Sequence, residues 1–117
     1  MDRKEKIYKM KWASVYPLYI AKAERKGRSR EEVDQLIYWL TGYDKNDMER
    51  LNISDIDLEH FYREASNFNE ASSLIKGKVC GVEVSTIEDE VEQKMRYMDK
   101  IIDELAKGKS LDKIMRK

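Results

Sequence analysis

The chain has 117 residues, of which 39% are charged and 41% hydrophobic, a mix that supports one folded domain with its own apolar core. Its 23 basic residues balance its 23 acidic ones, which excludes a net field that would draw the whole protein onto nucleic acid or membrane. A single cysteine excludes an internal disulfide, and no apolar run approaches the roughly 20 residues needed to cross a bilayer, so we expect a cytoplasmic protein without membrane contact.

The N-terminal part of the chain is strongly basic. Residues 1–30 carry ten Lys and Arg against three Asp and Glu, whereas residues 31–70 carry three against eleven. We expect the two segments to lie near each other and to neutralise each other. The alternative is that the basic segment binds nucleic acid, with Tyr8 and Trp12 stacking on bases. Residues 1–11 form a basic arm, part of which need not be ordered. The candidate basic patch consists of Lys4, Lys6, Lys9, Lys11, Lys22, Arg25 and Lys26.

A first helix is predicted within WASVYPLYIAKAERKG, residues 12–27. Ser14 is suited to cap it, which would place Pro17 in the first turn, where a missing backbone N–H has no helical partner to lose. Leu18 then belongs to the apolar side that enters the core, and Gly27 supplies the left-handed stop.

The next helix has the clearest start in the chain. Ser29 and Glu32 have the spacing of a capping box, in which each side chain accepts a hydrogen bond from the other residue's backbone N–H. Val33, Leu36, Ile37 and Leu40 follow the spacing of one buried helical face, and Gly42 follows as a stop. Because only two residues separate this helix from the first, the two are expected to pair.

Two shorter helices are predicted between residues 44 and 65. The stretch DKNDMERL, residues 44–51, is typical of a short helix or turn. After it, Ser54 together with Asp57 is suited to cap another helix. The apolar face of that helix consists of Leu58, Phe61, Tyr62 and Ala65.

Residues 69–85 allow two interpretations. Asn69 as a cap and Gly81 as a stop would give a helix, whereas the glycines and the run VCGVEV would allow a hairpin. We predict the helix, followed by a short extended segment near residues 82–85.

The longest helix is predicted over residues 90–107, capped by Asp89 and followed by Gly108, with a last short helix after Ser110. Together these elements predict an all-α fold, in which residues 1–117 form one compact domain of five to seven helices. The predicted core consists of Leu18, Val33, Leu36, Ile37, Leu40, Leu58, Phe61, Met95, Met98, Ile102 and Leu105.

Three tracts of the chain resemble a known family. Residues 7–44, 73–84 and 87–117, and within them the runs ASVYPLY, WLTGY and DELAKGK, are similar to the small bacterial proteins known as domain of unknown function 2200. The resemblance implies a bacterial intracellular protein. It brings no activity, ligand or catalytic residue.

An aromatic cluster in the first two helices allows a structural and a functional interpretation. Rings this large commonly border a core with their polar tips in water. The same rings would suit a surface for a protein partner or for a second copy of the chain. The candidate surface consists of Trp12, Tyr16, Tyr19, Tyr38, Trp39 and Tyr43.

Few residues in the sequence suggest catalysis. Cys80 and His60, each the only residue of its type, would have to meet in one pocket to act as a nucleophile and its base. One histidine and one cysteine are also too few for a zinc site, and no nucleotide-binding motif occurs, so we expect no metal or cofactor. The sequence therefore favours a non-enzymatic binding or adaptor protein, with nucleic-acid binding as the alternative and an enzyme using Cys80 and His60 as the least supported hypothesis.

Overall fold

The computed structural model describes residues 3–79 and 81–116, and within them the chain forms seven α-helices and one small antiparallel hairpin. The helices are α1 (Arg3–Tyr8), α2 (Trp12–Glu24), α3 (Arg30–Thr41), α4 (Lys45–Leu51), α5 (Leu58–Arg63), α6 (Glu90–Ala106) and α7 (Leu111–Ile114). The hairpin pairs β1 (Lys78–Val79) with β2 (Val82–Glu83), and two 3₁₀ helices flank it, Glu70–Leu74 and Val84–Thr86. The prediction of an all-α domain with five to seven helices is confirmed.

Helix α6 lies at the centre of the molecule. It packs against α2, α3, α5, α7 and the hairpin, because its apolar residues form one broad buried face. That face consists of Val91, Met95, Met98, Ile101, Ile102 and Leu105. Every residue of the predicted core is buried except Leu18, which is 61% exposed. No helix within the described residues has the length and hydropathy needed to cross a membrane.

Helix α2 begins three residues earlier than a Ser14 cap predicts. The backbone N–H of Trp12 donates to the carbonyl of Ile56 at 3.0 Å, and Leu58 donates to the carbonyl of Met10 at 2.8 Å. These bonds fix the start of the helix, so Ser14 lies inside it and is not its cap. Pro17 consequently lies beyond the first turn. The predicted cap was wrong because a long-range pairing, which local sequence does not reveal, sets the boundary. The basic arm itself is helical over Arg3–Tyr8.

The capping box of α3 is present as predicted. The Ser29 hydroxyl accepts from the Glu32 backbone N–H at 3.2 Å, and the Glu32 carboxylate accepts from the Ser29 backbone N–H at 2.9 Å. At the other end of α3, Gly42 takes a left-handed conformation with φ +78°. Helix α5 is capped by Asp57 alone. The prediction that Ser54 shares this role was wrong, since its hydroxyl donates to the Leu51 carbonyl at 2.8 Å and closes the turn after α4.

The region predicted as a helix over residues 69–81 is a 3₁₀ turn followed by the hairpin. Asn69 does cap this turn, but the helix prediction was wrong and the alternative interpretation was right. Gly77 has φ +110°, which a helix cannot continue. Its N–H donates to the Glu83 carboxylate at 3.0 Å, and its carbonyl accepts from the Val84 N–H at 3.0 Å. These two bonds join the segment before β1 to the end of β2 and so close the hairpin.

Candidate functional site

Two members of the aromatic cluster belong to the core. Trp12 is fully buried and stacks on Phe61, with ring centroids 3.9 Å apart and planes 6° from parallel. Its Nε1–H donates to the Asn52 side-chain oxygen at 2.8 Å. Tyr16 is 7% exposed, and its hydroxyl donates to Asp34 at 2.5 Å. The prediction that these two rings form a partner surface is therefore corrected, because neither presents its ring face to solvent.

The other four rings of the cluster are partly buried at the edge of the core, and they are Tyr19, Tyr38, Trp39 and Tyr43. The hydroxyl of Tyr19 donates to Asp99 at 2.7 Å, and that of Tyr43 donates to the Phe61 carbonyl at 2.6 Å. Burial raises the pKa of Tyr43 to about 12. Tyr19 and Tyr43 therefore direct their hydroxyls to acceptors within the protein, and not to water as the sequence analysis expected of rings at the border of a core.

An apolar cleft, which we call the α2 groove, lies beside this cluster. It has a volume of about 230 Å³, and elements α1, α2, α5 and α6 supply its walls. Its apolar lining consists of Ile7, Met10, Val15, Leu18, Leu58 and Met95. Met10 is 43% exposed and Leu18 61% exposed, so the apolar lining continues onto the outer surface.

The outer side of α2 has an unusual composition for a solvent-facing surface. Pro17, Leu18 and Ala21 are all exposed along it. Residues 6–23 contain no Asp or Glu, while Lys6, Lys9 and Lys11 are exposed near the N-terminal end of α2. The groove therefore has a mainly apolar lining, to which α6 adds Arg96 and Asp99, and exposed lysines flank the start of α2.

The predicted basic patch is divided by the structure into two groups. Lys6, Lys9 and Lys11 lie before α2, and Lys22, Arg25 and Lys26 lie at its other end, about 20 Å away at the rise of an α-helix. The side chain of Lys4 lies outside the described residues.

Some of these cations already have acidic neighbours. Lys11 contacts Asp55 at 3.2 Å, as the pairing of basic and acidic segments predicts, whereas Lys22 contacts Asp103 of α6 at 3.4 Å. Stacking of bases on Trp12 is excluded by the burial of its ring. Tyr8 donates its hydroxyl hydrogen bond to Asp89.

A second cleft, which we call the lysine cavity, lies between α2, β1 and α6 with a volume of about 360 Å³. Its polar lining consists of Tyr19, Lys22, Lys78, Asp99, Asp103 and Lys107. Asp103 contacts both Lys22, at 3.4 Å, and Lys107, at 3.0 Å. Tyr19 and Asp99 line the α2 groove as well. Burial raises the pKa of Asp99, although hydrogen bonds from Tyr19 and Arg96 and the charge of Lys22 oppose the shift.

Of the two residues proposed for catalysis, the structure describes only His60. The His60 ring is exposed, and its Nδ1 lies 2.6 Å from the carboxylate of Asp57, the residue that caps α5. The hydrogen bond to Asp57 raises the pKa of His60. Cys80 lies outside the described residues. Across residues 3–79 and 81–116, no three His, Cys, Asp or Glu side chains are grouped as metal ligands would be.

Fold and surface together define a small α-helical domain in which the α2 groove and the lysine cavity share Tyr19 and Asp99 in their walls. The chain belongs to the bacterial family described as "Uncharacterized protein conserved in bacteria (DUF2200)", whose model matches residues 6–116. The family resemblance seen in the sequence is thereby confirmed.

One solved structure is similar to this chain. The crystal structure of uncharacterized protein SP1917 superimposes with a TM-score of 0.90 at 40% sequence identity, covering 98% of this chain and 93% of that chain. No curated protein matches the chain. Because neither description states an activity, ligand or partner, the clefts themselves are the basis for a functional inference.

Proposed function

We propose that this protein is a non-enzymatic, cytoplasmic binding domain whose α2 groove holds an amphipathic helix of a protein partner. The observation that carries the proposal is the exposure of Met10 and Leu18 at the mouth of an apolar cleft. Single exposed apolar residues are normal on protein surfaces, but contiguous ones at a cleft are typical of interaction sites.

The shape of the groove suits a helix laid across it. Met10 comes from the segment before α2, Leu18 from the second turn of α2, and Met95 from α6. In helix-in-groove recognition, apolar anchors three or four residues apart enter such a cleft while the rest of the helix remains solvated. The mixture of two methionines with leucines and valine provides walls that can adapt to different anchors.

The charges around the groove favour an acidic partner. Lys6 and Lys9 are exposed and adjacent in sequence to residues that line the groove. The carboxylate in the lining, that of Asp99, is paired with Arg96 at 3.4 Å. The Lys11–Asp55 pair is 56% and 94% exposed, so it contributes little to stability and is easily exchanged for a pair with a partner. Complementary charge of this kind speeds association and helps to exclude partners of the wrong sign.

The proposal is tested with helical peptides displayed on phage, selected against the intact protein. We expect enriched sequences to combine large apolar residues at helical spacing with flanking Asp or Glu. Leu18→Glu should lower the affinity of the protein for the selected peptides by about tenfold or more, because it places a charge where an apolar side chain of the peptide would bind. The matched control is Leu74→Glu, the same change at a leucine that is 45% exposed away from the groove.

Three results would overturn the proposal. Equal losses for Leu18→Glu and Leu74→Glu would show that the groove has no special role. A wild-type dimer that becomes monomeric in Leu18→Glu, measured by sedimentation, would assign the groove to self-association. Binding of single-stranded nucleic acid that is abolished by Lys6→Gln and Lys9→Gln but not by Leu18→Glu would favour the nucleic-acid alternative.

A further inference from the structure

We infer that the lysine cavity binds a small phosphorylated compound that also carries hydroxyl groups, such as a sugar phosphate. This site is distinct in chemistry from the α2 groove and does not depend on the proposed partner. Its volume of about 360 Å³ falls within the range of small-molecule sites, which begins at roughly 300 Å³.

The positive charge of the cavity exceeds what its own carboxylates neutralise. Lys22 and Lys107 share a single carboxylate, that of Asp103. Lys78 is exposed on β1. Its cross-strand partner Glu83 accepts from the Gly77 N–H and the Ser85 hydroxyl, and among the described residues no carboxylate forms an ion pair with Lys78. Lysine ammonium groups bind phosphate as point charges. A phosphate placed between Lys78 and Lys107 would therefore meet cationic charge that the fold itself leaves partly unused.

The two aspartates explain why phosphate alone is not the expected ligand. Asp99 and Asp103 are acceptors when ionised, so they would repel a bare anion that came close to them. Hydroxyl groups on the same ligand would instead donate hydrogen bonds to these carboxylates. The Asp99 carboxyl already accepts from Tyr19 at 2.7 Å, which fixes its orientation before any ligand arrives. The cavity thus combines a cationic part for phosphate with an acceptor part for hydroxyls.

Elements far apart in sequence supply the two parts. Lys22 lies on α2, Lys78 on β1, and Asp99, Asp103 and Lys107 on or just after α6. Asp103 and Lys107 are one helical turn apart, and Asp99 is one turn before Asp103, so all three project from the same side of α6. A row of acceptor, acceptor and cation along one helix gives a ligand with a phosphate at one end a single preferred direction.

The test uses glucose 6-phosphate, inorganic phosphate and glucose as probes in isothermal titration calorimetry at constant ionic strength. We expect one site for glucose 6-phosphate, weaker binding of inorganic phosphate and no measurable binding of glucose. Lys78→Gln should lower the affinity for glucose 6-phosphate by about tenfold, the contribution expected of one charge-assisted hydrogen bond. Lys113→Gln, at an exposed lysine of α7, should leave the affinity unchanged, and circular dichroism confirms that both variants fold.

Several outcomes would overturn the inference. Absence of glucose 6-phosphate binding to the wild type, or equal losses in Lys78→Gln and Lys113→Gln, would show that the cavity is no anion site. Inorganic phosphate bound as tightly as glucose 6-phosphate would remove the role of the hydroxyls. Amide chemical-shift changes confined to residues outside α2, β1 and α6 would place the ligand elsewhere.

Discussion

Trp12 is the residue at which three segments of the chain meet. Its ring stacks on Phe61 of α5, its Nε1–H bonds to Asn52 after α4, and its backbone N–H bonds to Ile56. We expect Trp12→Ala to lower the free energy of unfolding by about 3–5 kcal/mol, the cost of removing a large buried ring and leaving a cavity. Urea denaturation followed by circular dichroism measures it.

Leu18→Ala on the same helix is the control for this prediction. Leu18 is 61% exposed, so its loss should change stability by no more than about 0.5 kcal/mol. A comparable loss in both variants would contradict the assignment of Trp12 to the core and Leu18 to the surface.

The contrast between these two residues shows what sequence reasoning can and cannot predict. Helix α3 has apolar residues once per turn among polar ones, so the sequence alone indicated its buried face: Val33, Leu36, Ile37 and Leu40. Helix α2 is apolar around most of its circumference, with Val15 and Tyr16 buried but Pro17 and Leu18 exposed. A helix of that composition gives no periodic signal for its inward face. The burial of Trp12 and the exposure of Leu18 are decided by the tertiary partners.

Glu104 and Arg116 form a nearly buried ion pair at the C-terminal end of the described chain. The carboxylate accepts from Arg116 at 2.7 and 2.8 Å, and its side chain is 9% exposed. Burial by itself would raise the pKa of Glu104, but the bonds from Arg116, together with Lys109, lower it overall. The pair therefore stabilises the fold above the ordinary carboxyl pKa of 4.5 and ceases to do so as the pH falls further.

Arg116→Gln should accordingly lower stability by about 1–3 kcal/mol at neutral pH, because it leaves a buried carboxylate short of a partner. The difference from the wild type should shrink as the pH falls below 4.5, the ordinary carboxyl value. Urea denaturation across this pH range measures the difference, and the Glu104→Gln single variant together with the Glu104→Gln/Arg116→Gln double variant completes a double-mutant cycle. A difference that stays constant with pH would argue against the pair as its cause.

At the scale of elements, the end of α3 is held by a close backbone contact. Gly42 and Gly27 have the same φ, +78°, but different surroundings. A Cβ at Gly42 would overlap the Asn67 carbonyl group, lying 2.8 Å from its carbon, whereas a Cβ at Gly27 would meet nothing within 4 Å. The loop after α5 is also bonded to α3 through Asn69, whose N–H donates to the Leu40 carbonyl at 2.9 Å.

The two glycines give a matched pair of substitutions. Gly27→Ala should cost about 1–2 kcal/mol, the penalty of a left-handed conformation for a residue with a Cβ. Gly42→Ala should cost a further 1–3 kcal/mol or so, since the Asn67 segment must also move away. Thermal unfolding of both variants measures the two losses of stability. Equal losses would show that the Asn67 loop can move away from residue 42 at no energetic cost.

The elements that the sequence predicted well are those whose signals are local. The capping box of α3 and the Asp89 cap of α6 depend on residues within one turn, and both are present. The hairpin at residues 78–83 was only the alternative interpretation, because the local sequence signals fit both a helix and a hairpin, and its packing on α6, with Gly77 beside Lys100, is a tertiary contact. The start of α2 was misplaced for the same kind of reason, since its bonds lead to residues 56–58.

At the scale of the whole molecule, the tyrosines make the fold sensitive to alkaline pH. Burial raises the pKa of six of them above the ordinary value of 10, and the affected residues are Tyr16, Tyr19, Tyr38, Tyr43, Tyr62 and Tyr97. The pKa of Tyr16 reaches about 12. Above pH 10, the unfolded chain therefore releases phenolic protons that the folded chain retains.

Stability should consequently be independent of these groups below pH 10 and should decline as the pH rises from 10 towards 12. We expect the ultraviolet absorbance of phenolate to appear together with the loss of helical circular dichroism, in one transition. Ionisation of most tyrosines near pH 10 with the helices intact would contradict the enclosed positions of their hydroxyls.

Both clefts are properties of the assembled molecule, which is why the sequence did not predict them. The α2 groove needs α1, α2, α5 and α6 together, and the lysine cavity needs α2, β1 and α6. The sequence did indicate the right part of the chain, since the aromatic cluster and the basic segment both border α2. What it could not supply was the division of the rings into core and edge, or that of the lysines into two groups.

The enclosed position of Trp12 also gives the protein an intrinsic fluorophore. Its indole is shielded from solvent, and its ring centroid lies 6.2 Å from that of Tyr19, which lines both clefts, whereas Trp39 is only partly covered. The two indoles should therefore differ in emission wavelength and in their accessibility to a dissolved quencher. A molecule bound in either cleft would contact Tyr19 and so alter the surroundings of Trp12. We therefore expect binding to change the tryptophan fluorescence of the unlabelled protein.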